Sequence, residues 1–335
     1  MTARRPHILV TNRVHEATLG RLAQIGEVDV NPHTEPWPQA EIIRRASQAD
    51  AMLAFMTDRL DAPFVRACPR LKIVACALKG FDNFDVEACT AAGVWVSIVP
   101  DLLTEPTAEL AVGLAIGLAR NVRHGDAVVR GGAFAGWRPV LYGTGLDGST
   151  VTIVGLGNVG RAVAARLAGF GCRLLGVDPA GSMPPDVTRA DIDSALAASD
   201  YVIVAAPLTG RTRHLIGPAA LSRLKPGALL VNVGRGSVVD EQAVLLALET
   251  GVLGGYAADV FEFEDWALHD AGTGIDPRLL AHPRTLFTPH LGSAVVRVRE
   301  AIELRAAENI ADVLAGRAPR DAINAPVRYR KASVG

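Results

Sequence analysis

Three polar residues in the second half of the chain could combine acid–base chemistry with the binding of an oxyanion. Arg235 lies in the segment NVGRGS, Glu264 in DVFEFED and His290 in TPHLGS. A histidine can transfer a proton near neutral pH, a carboxylate can hold it in one tautomer, and an arginine can bind and polarise an oxyanion. Glu262 competes with Glu264 for the role of the carboxylate, and spacing alone does not decide between them. We therefore predict a catalytic group of Arg235, His290 and one of these two glutamates.

A glycine-rich segment predicts a site for a dinucleotide. It directly follows an apolar, β-branched run and consists of Gly155, Leu156, Gly157, Asn158, Val159 and Gly160. In dinucleotide-binding folds the first glycine makes the turn, the second lets the backbone approach the pyrophosphate, and the third lets the helix pack closely on the strand. The helix that follows, predicted over 161–169, would present unpaired N–H groups and partial positive charge to the phosphates.

An acidic residue, Asp178, ends the next predicted strand. A carboxylate at this position can accept hydrogen bonds from the adenosine ribose hydroxyls, and it would repel a 2′-phosphate. Pro179 follows it, and the next arginine along the chain is Arg189. These residues predict a preference for NAD over NADP.

The elements that must position these residues form two successive passes of alternating strands and helices. In the first pass we predict strands at 7–10, 51–55, 72–76 and 94–98, with helices at 14–24, 40–47, 63–67 and 86–92. In the second pass we predict strands at 150–154, 173–177, 201–204, 228–232, 255–259 and 285–287. Six strands after a glycine fingerprint suit a complete dinucleotide-binding sheet, and loops that follow parallel strands meet at one sheet edge. Arg235, Glu264 and His290 can therefore come together.

Three further segments bear on how the chain divides into domains. Residues 105–121 are apolar nearly all round and predict a buried helix. Residues 293–314 predict a long helix that could return to the first domain. Residues 130–147, which contain several glycines and no periodicity, predict an extended arm. We expect an α/β fold of two Rossmann-like domains with doubly wound parallel sheets and a cleft between them. One domain would be discontinuous, 1–101 and 295–335, and the other would span 102–294.

Composition excludes several classes of protein. The 335 residues include 34 basic and 35 acidic side chains, which give a net charge of -1 and argue against a nucleic-acid partner. No apolar run approaches the roughly 18 residues of a membrane helix, and the first residues lack the apolar core of a signal peptide. The four cysteines form neither a CxxC pair nor a metal-ligand pattern. We expect a cytoplasmic protein with reduced thiols, no metal site and no membrane partner.

The glycine fingerprint with its aspartate, the RGS segment, the DVFExE segment and the PHxGS segment together resemble the D-isomer specific 2-hydroxyacid dehydrogenase family over the whole chain. The resemblance implies that Arg235, Glu264 and His290 form the active site, with Glu264 as the partner of His290. It also implies a homodimer with an arm that embraces the partner, and substrate domains built from both ends of the chain. For NAD it implies contacts beyond the fingerprint and Asp178, from Thr104, Pro207, Leu208, Thr212, Val233, Asp259 and Gly292.

Lys79, in the segment ALKGFDN, departs from most members of the family, which have small or neutral residues before the glycine of the substrate loop. A fixed ammonium at this position suits a compact dianion. The chain is similar here to those members of the family that oxidise phosphite (phosphonate) to phosphate with NAD. That resemblance implies a substrate site made of Met56, Lys79, Gly80, Trp137, Tyr142, Arg235, Ser293 and Arg299. His290 would then take a proton from the water that attacks phosphorus, although Arg235 could be the base instead.

Two other functions are compatible with the same residues. An NAD-dependent reductase of a small 2-keto acid, such as glyoxylate, hydroxypyruvate or the keto partner of D-lactate, would use His290 as proton donor to a carbonyl. An NAD-sensing binding module of the corepressor type would tolerate loss of the catalytic groups. All three groups are present in this chain, which favours an enzyme.

Overall fold

A computed structural model describes residues 4–180, 182–265 and 274–327. The strands in these residues are β1 (His7–Val10), β2 (Glu27–Val30), β3 (Ala51–Ala54), β4 (Ile73–Cys76), β5 (Trp95–Ser97), β6 (Thr150–Val154), β7 (Arg173–Val177), β8 (Val187–Arg189), β9 (Tyr201–Val204), β10 (Ala228–Asn232), β11 (Leu253–Ala258) and β12 (Thr285–Phe287). The α-helices are α1 (Glu16–Ile25), α2 (Gln39–Ala46), α3 (Ala62–Ala67), α4 (Val86–Ala91), α5 (Thr104–Ala119), α6 (Val122–Arg130), α7 (Asn158–Leu167), α8 (Ile192–Ala198), α9 (Pro218–Leu221), α10 (Glu241–Glu249), α11 (Pro277–Ala281) and α12 (Val296–Leu314). None of these helices is long and apolar enough to cross a membrane.

The chain folds into two compact units. The first contains Met1–Leu103 and Ala294–Gly335, and the second contains Thr104–Ser293. The ends of the sequence-based domain prediction, residues 1–3 and 328–335, lie outside the described residues. Each unit has its own fully parallel sheet, and the predicted α/β class with two Rossmann-like units is confirmed.

The first unit has a five-stranded sheet of order β2-β1-β3-β4-β5. The sequence analysis missed β2, whose residues EVDV alternate acidic and apolar side chains over four positions only. This strand pairs with β1 alone, in the register His7 to Glu27, and none of its side chains is fully buried. An edge strand with one half-buried face gives too short a pattern to be recognised in the sequence. α12 belongs to this unit and packs on α1, β3 and β4.

The second unit has a seven-stranded sheet of order β12-β11-β10-β9-β6-β7-β8. The chain runs outward from β6 through β7 to β8 and then returns to β9 on the other side of β6. The carboxyl ends of β6 and β9 are therefore the topological switch point, where ligands bind in open α/β sheets. The short edge strand β8, with the residues VTR, was not predicted because three residues carry no period.

The predicted buried helix 105–121 is α5, and its Ala, Val and Leu side chains form one side of the second unit's core. It packs on β10, β11 and α7. The helix ends where Asn121 adopts a left-handed backbone conformation, with φ of 54°. A further helix, α6, follows and contains no buried residue. The sequence analysis did not predict α6, because no core packing shapes its pattern.

One buried carboxyl organises the loop after β3 in the first unit. Asp58 is completely buried, and its Oδ2 accepts hydrogen bonds from the Thr11 hydroxyl at 2.6 Å and from the Phe55 N–H at 2.7 Å. Burial raises the pKa of Asp58 to about 7, and the two hydrogen bonds oppose that shift only in part. The loop that Asp58 holds contains Met56.

The Asp58 carboxyl should make the first unit less stable as the pH rises. The folded state binds this proton more tightly than the unfolded chain does, so the free energy of unfolding falls between about pH 4 and about pH 7. We expect Asp58→Asn to reduce this pH-dependent change in the free energy of unfolding. The reduction should be a few kcal/mol at most, since one pKa unit corresponds to about 1.4 kcal/mol. Urea unfolding of wild type and variant at pH 5 and pH 8 measures the difference. Asp61→Asn, at the N-cap of α3, is the control and should leave the slope unchanged. An Asp58→Asn slope equal to that of wild type would contradict the assignment.

Candidate active site

The loops after β10, β11 and β12 carry the three residues that the sequence singled out. These strands are neighbours in the parallel sheet, so their carboxyl ends lie at one edge. Arg235 follows β10, Glu264 lies in a short 3-10 helix (Glu262–Asp265) after β11, and His290 follows β12. All three side chains belong to the second unit and are partly exposed.

Glu264 and His290 are in direct contact. The His290 Nδ1 lies 2.6 Å from the Glu264 Oε2, and the other carboxylate oxygen of Glu264 accepts the Phe261 N–H at 2.8 Å. An ionised carboxylate only accepts hydrogen bonds, so this contact places the ring proton on Nδ1 and leaves Nε2 as the atom that can exchange a proton with a ligand. Glu262 bonds to His214 instead. Of the two glutamates that the sequence left open, Glu264 is the partner of His290.

Asp259 holds the loop that carries His290. Its Oδ1 accepts the Thr288 hydroxyl and the Leu291 N–H, both at 2.6 Å, and its Oδ2 accepts the Gly292 N–H at 2.8 Å. The His290 N–H also bonds to the Asp259 carbonyl oxygen at 2.9 Å. Burial raises the pKa of this carboxyl, while the hydrogen bonds and the charge of His290 oppose the rise.

These bonds keep His290 in a left-handed backbone conformation, with φ of 56°, which non-glycine residues rarely adopt. The sequence analysis predicted a contact between Asp259 and NAD, and that contact stays a prediction. In the structure both carboxylate oxygens of Asp259 accept hydrogen bonds from the loop of His290.

Arg235 lies on a backbone segment that is packed tightly at the switch point. A Cβ on Gly234 would lie 2.6 Å from the Ala206 carbonyl oxygen, so only glycine fits between the β9 and β10 loops. The Asn232 side chain donates to the Arg235 carbonyl oxygen at 3.0 Å, and the Arg235 guanidinium donates to the Gly234 carbonyl oxygen at 2.9 Å. The backbone that carries the arginine is therefore held from both sides.

The glycine fingerprint has the geometry of a dinucleotide site. Gly155 has φ of 92°, and a Cβ there would lie 2.7 Å from the Ala206 backbone. A Cβ on Gly160 would lie 1.9 Å from the Gly155 carbonyl oxygen, so that glycine lets α7 pack against the turn. Gly157 is different, because a Cβ there would meet nothing within 4 Å. The open space at Gly157, directly before the first turn of α7, fits an approaching pyrophosphate.

Asp178 lies beside this loop, as the pattern predicted. Its Oδ2 accepts the Leu156 N–H at 2.7 Å and its Oδ1 accepts the Ala180 N–H at 2.9 Å. The carboxylate is thus fixed against the fingerprint, where it can accept ribose hydroxyls. Arg189, on the missed strand β8, donates to the Asp178 carbonyl oxygen at 2.7 Å. Arg189 therefore lies closer to Asp178 than the 11 positions between them in the sequence suggest.

The other residues predicted to contact NAD lie on loops of the second unit. Pro207, Leu208 and Thr212 belong to the loop after β9, in which the Thr212 hydroxyl donates to the Pro207 carbonyl oxygen at 2.7 Å. Val233 directly follows β10. Thr104 begins α5, and its buried Oγ1 has no hydrogen-bond partner among the described residues.

Four of the predicted substrate residues gather in the first unit. Met56 follows β3, and Lys79 and Gly80 follow β4, so both loops lie at the same edge of the five-stranded sheet. The Asn83 amide links them by donating to the Met56 carbonyl oxygen at 3.3 Å. From α12 the Arg299 guanidinium donates to the Ala77 carbonyl oxygen at 3.3 Å, and burial lowers its pKa.

Trp137 and Tyr142 do not join the residues of the candidate site within one chain. Trp137 is 84% exposed and Tyr142 is 79% exposed. Tyr142 lines a pocket with Gly227 and Arg284, which directly precede β10 and β12, and with Gly254, the second residue of β11. This is the amino edge of the sheet, opposite the edge of His290. Within one chain the arm therefore folds against the other end of the strands, and the substrate contact predicted for Tyr142 stays a prediction.

Ser293 does stay near the site, since it follows the buried Gly292 in the loop after β12. A group of His, Cys, Asp or Glu side chains that could hold a metal ion is absent from the described residues.

The sequence analysis missed two groups beside the site. The sequence analysis did not single out His214, whose Nε2 lies 3.0 Å from the Glu262 Oε2. Glu241, at the start of α10, was not noticed, although it is almost fully buried. Its position directly after Asp240, a helix N-cap residue, looks in the sequence like an ordinary acidic first turn.

Gly157 and Gly160 should respond differently to a side chain. Gly157→Val should fold with an unchanged melting temperature but bind NADH at least about tenfold more weakly, which is about 1.4 kcal/mol. The Cβ at Gly160 would clash with the backbone, so Gly160→Val should lose thermal stability as well. Fluorescence titration with NADH and thermal unfolding measure the two effects. Gly169→Val, another glycine with open space around it, is the control, and equal NADH affinity of the 157 and 169 variants would refute the cofactor site.

Comparisons with known proteins agree with this geometry. Residues 112–292 match the family model described as D-isomer specific 2-hydroxyacid dehydrogenase, NAD binding domain. A glyoxylate reductase of Thermofilum pendens is 35% identical over 332 residues, which are 96% of each chain. The structure of the TT0316 protein of Thermus thermophilus superposes with a TM-score of 0.88 at 34% identity, covering 95% of this chain and 100% of the other. An NADPH-dependent glyoxylate/hydroxypyruvate reductase of Sinorhizobium meliloti has a TM-score of 0.84 at 30% identity, covering 98% and 100%. The chain therefore belongs to the D-isomer specific 2-hydroxyacid dehydrogenase family and carries that family's NAD-binding domain.

Proposed function

We propose that this protein transfers a hydride between NAD and a small anionic substrate, with His290 as the proton-transferring group. The observation that carries the proposal is the 2.6 Å contact between His290 Nδ1 and Glu264 Oε2, at the sheet edge that also bears Arg235. Glu264 fixes the tautomer, so that Nε2 of His290 can give or accept a proton. NAD supplies the hydride acceptor or donor. Arg235 binds and polarises the substrate oxygen.

A small 2-oxo acid is the substrate that the relatives support. Curated relatives named glyoxylate reductase are 31% identical in Thermococcus litoralis and 35% identical in Thermofilum pendens over nearly the whole chain. In this function Arg235 binds the carboxylate and the carbonyl oxygen, and His290 protonates that oxygen while the hydride is transferred to carbon. The product is the 2-hydroxy acid.

Lys79 favours a second candidate, the oxidation of phosphite by a phosphonate dehydrogenase activity. Lys79 and Gly80 lie on the loop after β4, and Met56 and Arg299 are held near that loop. A lysine and an arginine together suit a compact dianion better than a 2-oxo monoanion. In this reaction water attacks phosphorus, the P–H hydride passes to NAD, and a base takes the water proton, which yields phosphate and NADH. His290 is the base in this proposal, and Arg235 is the alternative.

The assay that distinguishes the candidates follows the absorbance of NADH in both directions. One arm supplies phosphite and NAD, and the other supplies NADH with glyoxylate, hydroxypyruvate and pyruvate. Each arm is run with Glu264→Gln, which should lower kcat by about 10²-fold or more because the histidine loses its fixed tautomer. Turnover only with the keto acids supports the first candidate, and turnover with phosphite supports the second. No turnover in either arm would overturn the proposed function.

Lys79 is expected to discriminate between the two candidates. If Lys79 binds a dianion, Lys79→Met should lower kcat/KM for phosphite by about 10²–10³-fold. This loss corresponds to about 2.7–4 kcal/mol of transition-state stabilisation. Glyoxylate reduction should change much less, because a monocarboxylate does not need a second cation. Lys72→Met is the control, since Lys72 precedes β4, whereas Lys79 follows it. Lys72 contacts Asp50, which also binds Arg4 and Arg70. Equal losses of kcat/KM for phosphite in Lys72→Met and Lys79→Met would contradict a place for Lys79 in the substrate site.

We further propose that the protein is a homodimer whose arm covers the partner. In the single chain the arm, residues 130–147, exposes five large apolar side chains, those of Phe134, Trp137, Val140, Leu141 and Tyr142. Contiguous exposed apolar surface of this kind is typical of an interface. The adjoining helix α6 has no buried side chain and adds Val122 and Val129 to the same surface.

Substitutions on the arm should therefore convert a dimer to a monomer. The double variant Trp137→Ser/Val140→Ser is expected to sediment as a monomer at concentrations at which wild type is a dimer. Leu246→Ser removes an equally exposed apolar side chain on α10 and serves as the control. Analytical ultracentrifugation measures all three proteins. A dimer that survives the double variant unchanged would exclude the arm as the interface.

A further inference from the structure

Two backbone segments of the second unit are bonded to each other through their acidic side chains. The first is residues 235–241, which begins with Arg235, and the second is the turn 261–265, which contains Glu264. The Ser237 N–H donates to the Asp265 Oδ2 at 2.7 Å. The Glu241 N–H donates to the Glu262 Oε1 at 2.8 Å, and the Glu262 N–H donates back to the Glu241 Oε1 at 2.9 Å. We call this set of bonds the acidic clamp.

The clamp is closed by direct backbone packing. A Cβ on Gly236 would lie 1.9 Å from the Phe261 carbonyl carbon and 2.3 Å from the Glu262 nitrogen. The residue next to Arg235 is therefore in contact with the beginning of the turn that holds Glu264. Any movement of the turn must move the segment that carries the arginine.

A third segment is tied to the same place. The His214 N–H donates to the Ser237 carbonyl oxygen at 2.7 Å, and the His214 ring lies 3.0 Å from the Glu262 Oε2. His214 has φ of 50°, a strained value for a residue with a side chain. The Glu262 carboxylate thus joins the loop after β9 to the loops after β10 and β11.

Two of the three acidic side chains of the clamp, Glu241 and Asp265, are buried, and Glu262 is half-buried. Glu241 is 7% exposed and Asp265 is 6% exposed. Burial raises the pKa of Glu241 to about 7, and the charges of Glu262, Glu264 and Asp265 raise it further. Buried like charges are costly unless each accepts hydrogen bonds, as these do. The hydrogen bonds of Glu241 and Asp265 join the two segments on which Arg235 and Glu264 lie.

We propose that Glu241 and Asp265 are positioning residues that set Glu264, and through it His290, relative to Arg235. Glu241 accepts the Glu262 N–H of the turn, and Asp265 accepts the Ser237 N–H of the segment 235–241. These bonds hold the turn against that segment, so that the Glu264 carboxylate faces the His290 Nδ1. The kinetic part of this inference rests on the proposed function, while the geometric part concerns only the His290–Glu264 contact.

The test compares four variants of the full-length protein. Asp265→Ala and Glu241→Ala each delete an acceptor, Glu241→Gln keeps an acceptor without the charge, and Asp191→Ala is the matched control. Asp191 also accepts a backbone N–H, that of Ser194 at 2.9 Å, at the N-cap of α8 in the same unit. The first readout is the NMR resonance of the His290 Nδ1 proton in protein with ¹⁵N-labelled histidine, assigned by its loss in Glu264→Gln. The second readout is kcat and KM for the substrate that the assay above identifies.

We expect the resonance to shift or disappear and kcat to fall at least tenfold in Asp265→Ala and Glu241→Ala, with KM for NAD or NADH changed less than threefold. Glu241→Gln should retain the resonance and most of kcat, and Asp191→Ala should retain both while it loses thermal stability. If the two alanine variants lose stability only, like Asp191→Ala, the proposal is overturned. If no substrate is turned over, the proposed function fails, but the resonance alone still decides whether the clamp positions Glu264.

Discussion

Parallel pairing of β10, β11 and β12 determines where the three candidate residues Arg235, Glu264 and His290 can lie. Asn232 of β10 pairs with Ala258 of β11, and Ala258 pairs with Phe287 of β12, so the three strands end at the same level. The next residues of each strand must leave the sheet at one edge, and Arg235, Glu264 and His290 follow within a few positions. A one-residue slip would turn alternate side chains to the other face and separate the loops. The candidate site therefore depends first on sheet register and only then on the identity of its side chains.

Once the loops are at one edge, buried carboxylates give them their detailed geometry. Asp259 accepts three donors from the loop of His290, and Glu241 and Asp265 accept backbone N–H groups around the turn of Glu264. Each of these loops would otherwise bury N–H groups without partners, at a cost of about 1–3 kcal/mol per group. The acids thus satisfy the backbone and at the same time orient a histidine whose own φ is positive. Stability and placement of the catalytic groups have the same physical origin here.

The cofactor loop obeys a different constraint, which is space rather than charge. Gly155 and Gly160 are required by close backbone contacts, whereas Gly157 faces open space. The three glycines thus differ in the space around them, as the roles that the fingerprint assigns to them require. The structure adds the orientation of Asp178, whose carboxylate accepts the N–H of Leu156 inside the fingerprint.

The sequence by itself determined the fold class, most of the strands, the fingerprint with its aspartate and the candidates for the catalytic group, because these depend on local periodicity and on short motifs. It did not determine β2, β8 or α6, whose few buried side chains leave no period to detect. Spacing alone left Glu262 and Glu264 open and the family resemblance implied Glu264. The tertiary structure shows the contact itself, because Glu264 faces His290 whereas Glu262 faces His214. It also decided that Tyr142 lies at the amino edge of the sheet, away from its own chain's His290, since the arm bonds to the start of β9 through Thr144 and Tyr201. Contacts between segments far apart in the sequence leave no local signal, so only the tertiary structure shows them.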